Sequence, residues 1–127
     1  QNVEFKKSIY EKNKSLFLDY IKYYQNEVKD LNQQIEKHNG EIFLFGGHIF
    51  SQFLIFNGLN TNKITSILDN SKMKQGKRLY GTSFIVKSPS ILKNYHNPSV
   101  ILKTASYNEE IKNDITNNIS NNVIFFE

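Results

Sequence analysis

Phe17, Ile21, Tyr24, Val28, Leu31 and Ile35 recur at alternating spacings of four and three, which draws one apolar stripe down a helix. Lys and Glu fill the other faces, and neither Gly nor Pro interrupts residues 3–38. The spacing predicts one long helix over 3–38. It ends at Asn39-Gly40, because both residues tolerate the left-handed conformation of a helix C-cap. The stripe suits two partners. It can pack on a following sheet, or it can form a seam between helices of two subunits, since a four-three repeat also fits a coiled coil.

From residue 41 the pattern changes to short apolar runs separated by helical ones. Strands are expected at 41–46, 63–68, 83–87, 99–103 and 122–126, and helices at 48–58, 89–94 and 107–118. Nearly all-apolar strands alternating with helices predict a parallel sheet covered on both faces. With right-handed crossovers this is a three-layer Rossmann-like α/β domain of about five strands. Pro89 opens the short helix, where its missing N–H costs nothing, and Pro98 precedes a strand. The organisation is a leading helix, 1–40, packed on a Rossmann-like unit, 41–127. The helical pattern runs from the first residues, which are not Met, so the chain reads as the C-terminal piece of a longer polypeptide.

Composition narrows the chemistry. The chain has 127 residues, enough for one domain with a core, and 39% are apolar. It has no Cys, which removes disulfides, thiolate ligands and a Cys nucleophile. His38, His48 and His96 stand far apart without ligand spacing, so no metal is assigned. No apolar run reaches the roughly 20 residues that span a bilayer, and a cytoplasmic location is expected. The formal charge of +4 suits a small anion, and the basic residues are not striped with aromatics as in a nucleic-acid-binding face.

Three loops carry candidate chemistry. Gly46-Gly47-His48 joins the first strand to a helix, where a glycine can take positive φ and the helix N-terminus attracts phosphate or carboxylate. The same residues also make a plain tight turn, with His48 packing beside its own helix. The full G-x-G-x-x-G is absent, which disfavours NAD. Asp69 follows the second strand, where a carboxylate can hold ribose hydroxyls; Asp69-Asn70-Ser71 can equally start a turn by bonding nearby backbone. The loop from Lys72 to Thr82 carries Lys72, Lys74, Lys77 and Arg78 among Gly76 and Gly81, as a solvated loop or as cations for a diphosphate. After the fourth strand comes Thr104-Ala-Ser-Tyr107-Asn108. Ser106 is expected to cap the last helix, with Glu109 completing a capping box, while Tyr107 and Asn108 face the shared cleft. No nucleophile–base pair and no paired carboxylates emerge, so this chain alone does not read as a complete enzyme.

Ile67-Leu-Asp69-Asn70-Ser71, Lys74-Gln-Gly76, Gly81-Thr82, Ser88-Pro89 and Tyr107-Asn108-Glu-Glu-Ile111 together resemble the C-terminal domain of the sugar C-methyltransferase family. The family's D-x-N-P-x-K-x-G…P-G-T pattern matches at Asp69, Lys74, Gly76, Gly81 and Thr82, and its aromatic-Asn pair matches Tyr107-Asn108. The resemblance implies a zinc-binding region and an S-adenosylmethionine-dependent methyltransferase domain upstream, with a long helix leading into a Rossmann-like C-terminal domain. It implies that this domain helps hold a nucleotide-linked sugar through Gly46, Gly47, His48, Asp69, Asn70, Lys74, Lys77, Tyr107 and Asn108. The methyl donor would be bound by a domain outside this chain, and no catalytic residue can be carried over. The family's Lys after the glycine turn is missing here, as are its prolines before Lys74 and Gly81, so the sugar and the methylated atom stay open. Two other classes remain: an interaction module that assembles subunits through the helix 3–38, and a sugar-nucleotide-binding domain of a different transferase.

Overall fold

The computed structural model describes residues 2–127. Helix α1 (Asn2–Lys37) leads into β1 (Ile42–Phe45), α2 (Ile49–Phe56), β2 (Ile64–Leu68), β3 (Val86–Lys87), β4 (Ser99–Ile101), α3 (Asn108–Asn118) and β5 (Ile124–Phe126). Short 3-10 turns precede β2, β4 and α3. All five strands are parallel, in the order β3-β2-β1-β4-β5. This is the three-layer α/β domain with a long N-terminal helix that the alternation predicts.

The layers follow from the side-chain alternation of β1, all four residues of which are buried. Ile42 and Leu44 join Ile67 and Ile101 under α1 and α2, where Val28, Leu31, Ile35 and Leu54 cover them. Phe43 and Phe45 join Leu68, Val100 and Leu102 on the other face, beneath Leu92 of the 3-10 helix before β4 and Ile115 of α3. A register slip at Thr65, between Ile64 and Ser66, lets Ile64 and Ile67 share one face although their spacing is odd.

Chain crossings now place the ends of the strands. The β1-to-β2 connection runs over one face through α2, and the β4-to-β5 connection runs over the other through α3. The strand order reverses between β1 and β4. Loops leaving the carboxyl ends of those two strands therefore part to opposite faces and leave a crevice, the position where open α/β sheets bind ligands.

Two predicted elements come out differently. The strand expected over 83–87 shortens to Val86–Lys87, because the residues before it pair with their own loop. Arg78 and Ile85 form an antiparallel bridge, Leu79 N–H donates to Phe84 O (2.8 Å), and Val86 N–H donates to Lys77 O (2.8 Å). The basic loop is thus a folded hairpin. The short helix after Pro89 is a 3-10 helix (Pro89–Asn94) whose first turn Ser88 caps.

Helix α1 has 36 residues and a length of about 54 Å, against about 30 Å for a small domain. Only its second half is seated. Val28, Leu31 and Ile35 are buried, whereas Val3, Phe5, Tyr10, Leu16 and Leu18 are exposed, and Phe17, which opens the predicted stripe, is 62% exposed. Among the described residues, no helix is long and apolar enough to cross a membrane. The contrast along one helix gives a direct expectation. Leu31→Ala should cost about 2–5 kcal/mol in urea unfolding, as a cavity in a packed core does, while Leu18→Ala stays within about 0.5 kcal/mol. Equal losses at the two positions would contradict this seating of the helix.

Candidate functional site

The turn after β1 needs glycine at position 46 and is tight at position 47. Gly46 has φ of +112°, and a Cβ there would collide with the His48 imidazole. A Cβ on Gly47 would press on Val86 Cγ2 at 3.2 Å. Gly46 N–H continues the ladder to Leu68 O (2.6 Å), and the buried Ser51 hydroxyl of α2 donates to Gly46 O (2.6 Å). His48 is the N-cap residue of α2, but its side chain makes no capping bond. The ring instead folds back over Gly46, and its Nδ1 is buried without a hydrogen-bond partner among the described residues. Burial, with Lys74 nearby, pushes its pKa below the usual histidine value, so the ring is neutral at pH 7; Asp69 opposes the shift only in part.

Asp69 already meets the turn that precedes it. Gly47 N–H donates to Asp69 Oδ2 (2.8 Å), and Ser71 N–H donates to Oδ1 (2.8 Å). Both oxygens are engaged, and the side chain is 15% exposed. Lys74 Nζ stands 3.6 Å from Oδ2, a loose pairing with that Lys side chain 45% exposed. The anion held by the glycine turn is therefore the protein's own carboxylate, so Asp69 is a staple between the ends of β1 and β2 first and a ligand group second.

The loop after β4 is also held from within. Asn108 Oδ1 accepts from Thr104 N–H (2.8 Å) and from the Thr104 hydroxyl (2.6 Å), while its amide donates to Leu102 O (3.1 Å). The predicted capping box does not form. Ala105–Tyr107 is a 3-10 turn, α3 starts at Asn108, and Ser106 lies exposed inside the turn, one position too early to cap. Ala105 is left with φ of +54°, a conformation that costs an L-residue about 1–2 kcal/mol. The structure keeps this strain at the rim of the crevice, where such outliers concentrate in functional sites.

Two clefts flank the ridge Gly46–His48. The first, about 600 Å³, lies at the strand-order reversal. Gly46, His48, Asp69 and Tyr107 line it with Lys103 and Thr104, and Tyr20 and Tyr24 of α1 form its outer wall. Tyr24 stands edge-on to Phe50 (5.4 Å) and Phe53 (5.5 Å), and burial pushes its hydroxyl pKa up. Lys103 Nζ pairs with Glu27 Oε2 of α1 at 2.7 Å, and this hydrogen bond draws the Glu27 carboxyl below its usual range. The second cleft, about 530 Å³, is lined by Gly47, His48, Lys74, Lys77 and Arg78.

Of the sequence-predicted site residues, seven border these two clefts. Asn70 opens onto a separate groove beside Tyr107 and α3, and Asn108 is consumed by its own loop. Tyr20, Tyr24, Glu27 and Lys103 were not foreseen. Among the described residues, no cluster of three or more His, Cys, Asp or Glu could hold a metal ion. Comparison with protein-family models, with curated proteins and with solved structures returns no match.

The staple is testable without any ligand. Asp69→Ala strands the part-buried Gly47 and Ser71 N–H groups and should cost about 1–3 kcal/mol in urea unfolding, below the sum for two fully buried donors. Asp69→Asn, which keeps an acceptor oxygen, should recover part of that loss. An Asp69→Ala protein as stable as the parent would show that the bond to Gly47 contributes nothing.

Proposed function

We propose that this chain is the substrate-side domain of an S-adenosylmethionine-dependent methyltransferase whose ligand is a nucleotide-linked sugar. The observation that carries this reading is the pair of clefts on one rim, one aromatic and one basic, at the reversal point of a doubly wound sheet. Three of the motif positions behind the family resemblance, Asp69, Lys74 and Tyr107, border that rim. Asp69 fixes its geometry, Lys74 stands beside it, and Tyr107 lines the far side.

Methyl transfer itself is assigned to a domain outside this chain. The carboxylate after β2 that could hold an adenosyl ribose, Asp69, already accepts from two backbone amides. With that acid engaged in the turn, these residues are a poor match for the methyl donor. The reading also carries a cytoplasmic location, where activated sugars are made and used.

Titration of the chain with a panel of nucleotide sugars tests the proposal. At least one should bind, and Lys74→Ala combined with Lys77→Ala should weaken it at least tenfold, as expected for lost charge-assisted bonds to phosphate. A panel with no binder, or a binder indifferent to the double change, rejects it.

One observation favours a second reading, a module that assembles subunits. Val3, Tyr10 and Phe17 repeat every seven residues along the exposed half of α1, the spacing of a helix–helix seam. Light scattering across a concentration series decides it. Under this reading mass rises with concentration, and Tyr10→Glu with Phe17→Glu returns a monomer; a concentration-independent monomer of the parent chain excludes self-assembly through α1.

A further inference from the structure

The stripe along α1 continues past the point where the domain stops covering it. Counting back from Phe17 in the same alternation of four and three gives Lys14, Tyr10, Lys7 and Val3. The positions that Ile21, Val28 and Ile35 take nearer the domain are taken by Lys14 and Lys7 in the free half. Val3, Tyr10 and Phe17 of this row are exposed. A lysine set in a row between two helices needs an acid beside it, because an unpaired ammonium is costly to bury.

The acids stand one position beyond the apolar members of the row. Glu4 follows Val3, and Glu11 follows Tyr10. Glu4, Lys7, Glu11 and Lys14 are all exposed, and among the described residues none of them has an ion-pair partner. Their signs alternate along one edge of the row. Such an order is its own complement when reversed: an antiparallel copy sets Lys14 opposite Glu4 and Lys7 opposite Glu11. A parallel copy in register sets Lys7 against Lys7 and Lys14 against Lys14, where like charges repel.

The space beside the helix favours the same orientation. From Tyr24 onward the row is covered by the chain's own α2 and sheet: Tyr24 stands against Phe50 and Phe53, and Val28, Leu31 and Ile35 are buried. A parallel partner would run on into that region, where two α/β domains claim the same side. An antiparallel partner occupies only the free length, about 20 Å, and its own domain lies at the far end.

Resting on the reading of α1 as a subunit-assembly element, we infer that its free half pairs antiparallel with a second copy of this chain. Tyr10 packs against the partner's Lys7 and Val3 against the partner's Lys14. Glu11 and Glu4 then take the two ammonium groups, and the two-fold axis repeats each pair. The α/β domains stand at opposite ends of a short helical rod.

The chain has no Cys, so Ser8→Cys and Ser15→Cys each carry a single spin label. Both serines are exposed and lie two helical turns apart, on the face away from the row. Pulsed electron paramagnetic resonance at high protein concentration reads the distance between the labels of a pair. In the antiparallel pair they are offset along the axis by about 2 Å at residue 8 and about 20 Å at residue 15, so the second distance is the longer. Equal distances mean parallel helices; self-assembly then stands and this arrangement falls. Charge reversal gives a second readout. Glu4→Lys with Glu11→Lys, and separately Lys7→Glu with Lys14→Glu, should each weaken self-association at least tenfold in sedimentation, while an equimolar mixture of the two variants restores the pair. Circular dichroism checks that each variant stays folded. Either variant associating as well as the parent overturns the charge match. A parent chain that stays monomeric at every concentration overturns both the arrangement and the assembly reading.

Discussion

One carboxylate ties together the ends of two neighbouring strands, and the geometry of the rim depends on it. Asp69 takes the Gly47 amide with one oxygen and the Ser71 amide with the other. The first bond fixes the turn between β1 and α2. The second closes the turn that launches the basic hairpin. A buried charge would normally be costly, and two N–H donors with a nearby ammonium offset that cost. With the acid so committed, the glycine turn is finished as a structural unit, and ligand chemistry passes to the groups around it.

Those groups come from places far apart in the chain. Lys103 follows β4, Glu27 lies 76 residues earlier on α1, and the hairpin cations stand between β2 and β3. The doubly wound order brings them to one rim, because loops at the carboxyl ends of β1, β2 and β4 emerge on the same edge. Ion pairing then sorts them. A lysine satisfied by a glutamate and a set of cations without close partners make two different environments, although the formal charges are alike.

Much of the scaffold was legible from local pattern. The helix over 3–38, the five strands and their parallel pairing follow from periodicity, and both strand pairing and burial agree with it. Local reading stopped where a residue had a choice of partners. Residues 84–85 look like strand, but Phe84 O accepts from Leu79 N–H and Ile85 bridges to Arg78 in the basic loop beside them. Ser106 has the right company for a cap, yet Asn108 takes over the loop and delays the helix by one residue. Asp69 was legible as a candidate, whereas its bond to Gly47 depends on the approach of two strands. Tyr20, Tyr24 and Glu27 escaped because nothing in a helical stripe says which loop it will face; the signal available was the cluster Tyr20, Tyr23, Tyr24, which is richer in hydroxylated rings than packing alone requires.

Helix α1 belongs at once to the core, through Leu31 and Ile35, and to the wall of the aromatic cleft, through Tyr20 and Tyr24. Its upper half extends beyond both as a stiff rod. Such a rod is a lever with its fulcrum in the packed core. A tilt imposed at the far end would swing the two tyrosines relative to the sheet and load the Glu27–Lys103 tie, so a force on the exposed half of the helix would be felt as a change in the width of the crevice.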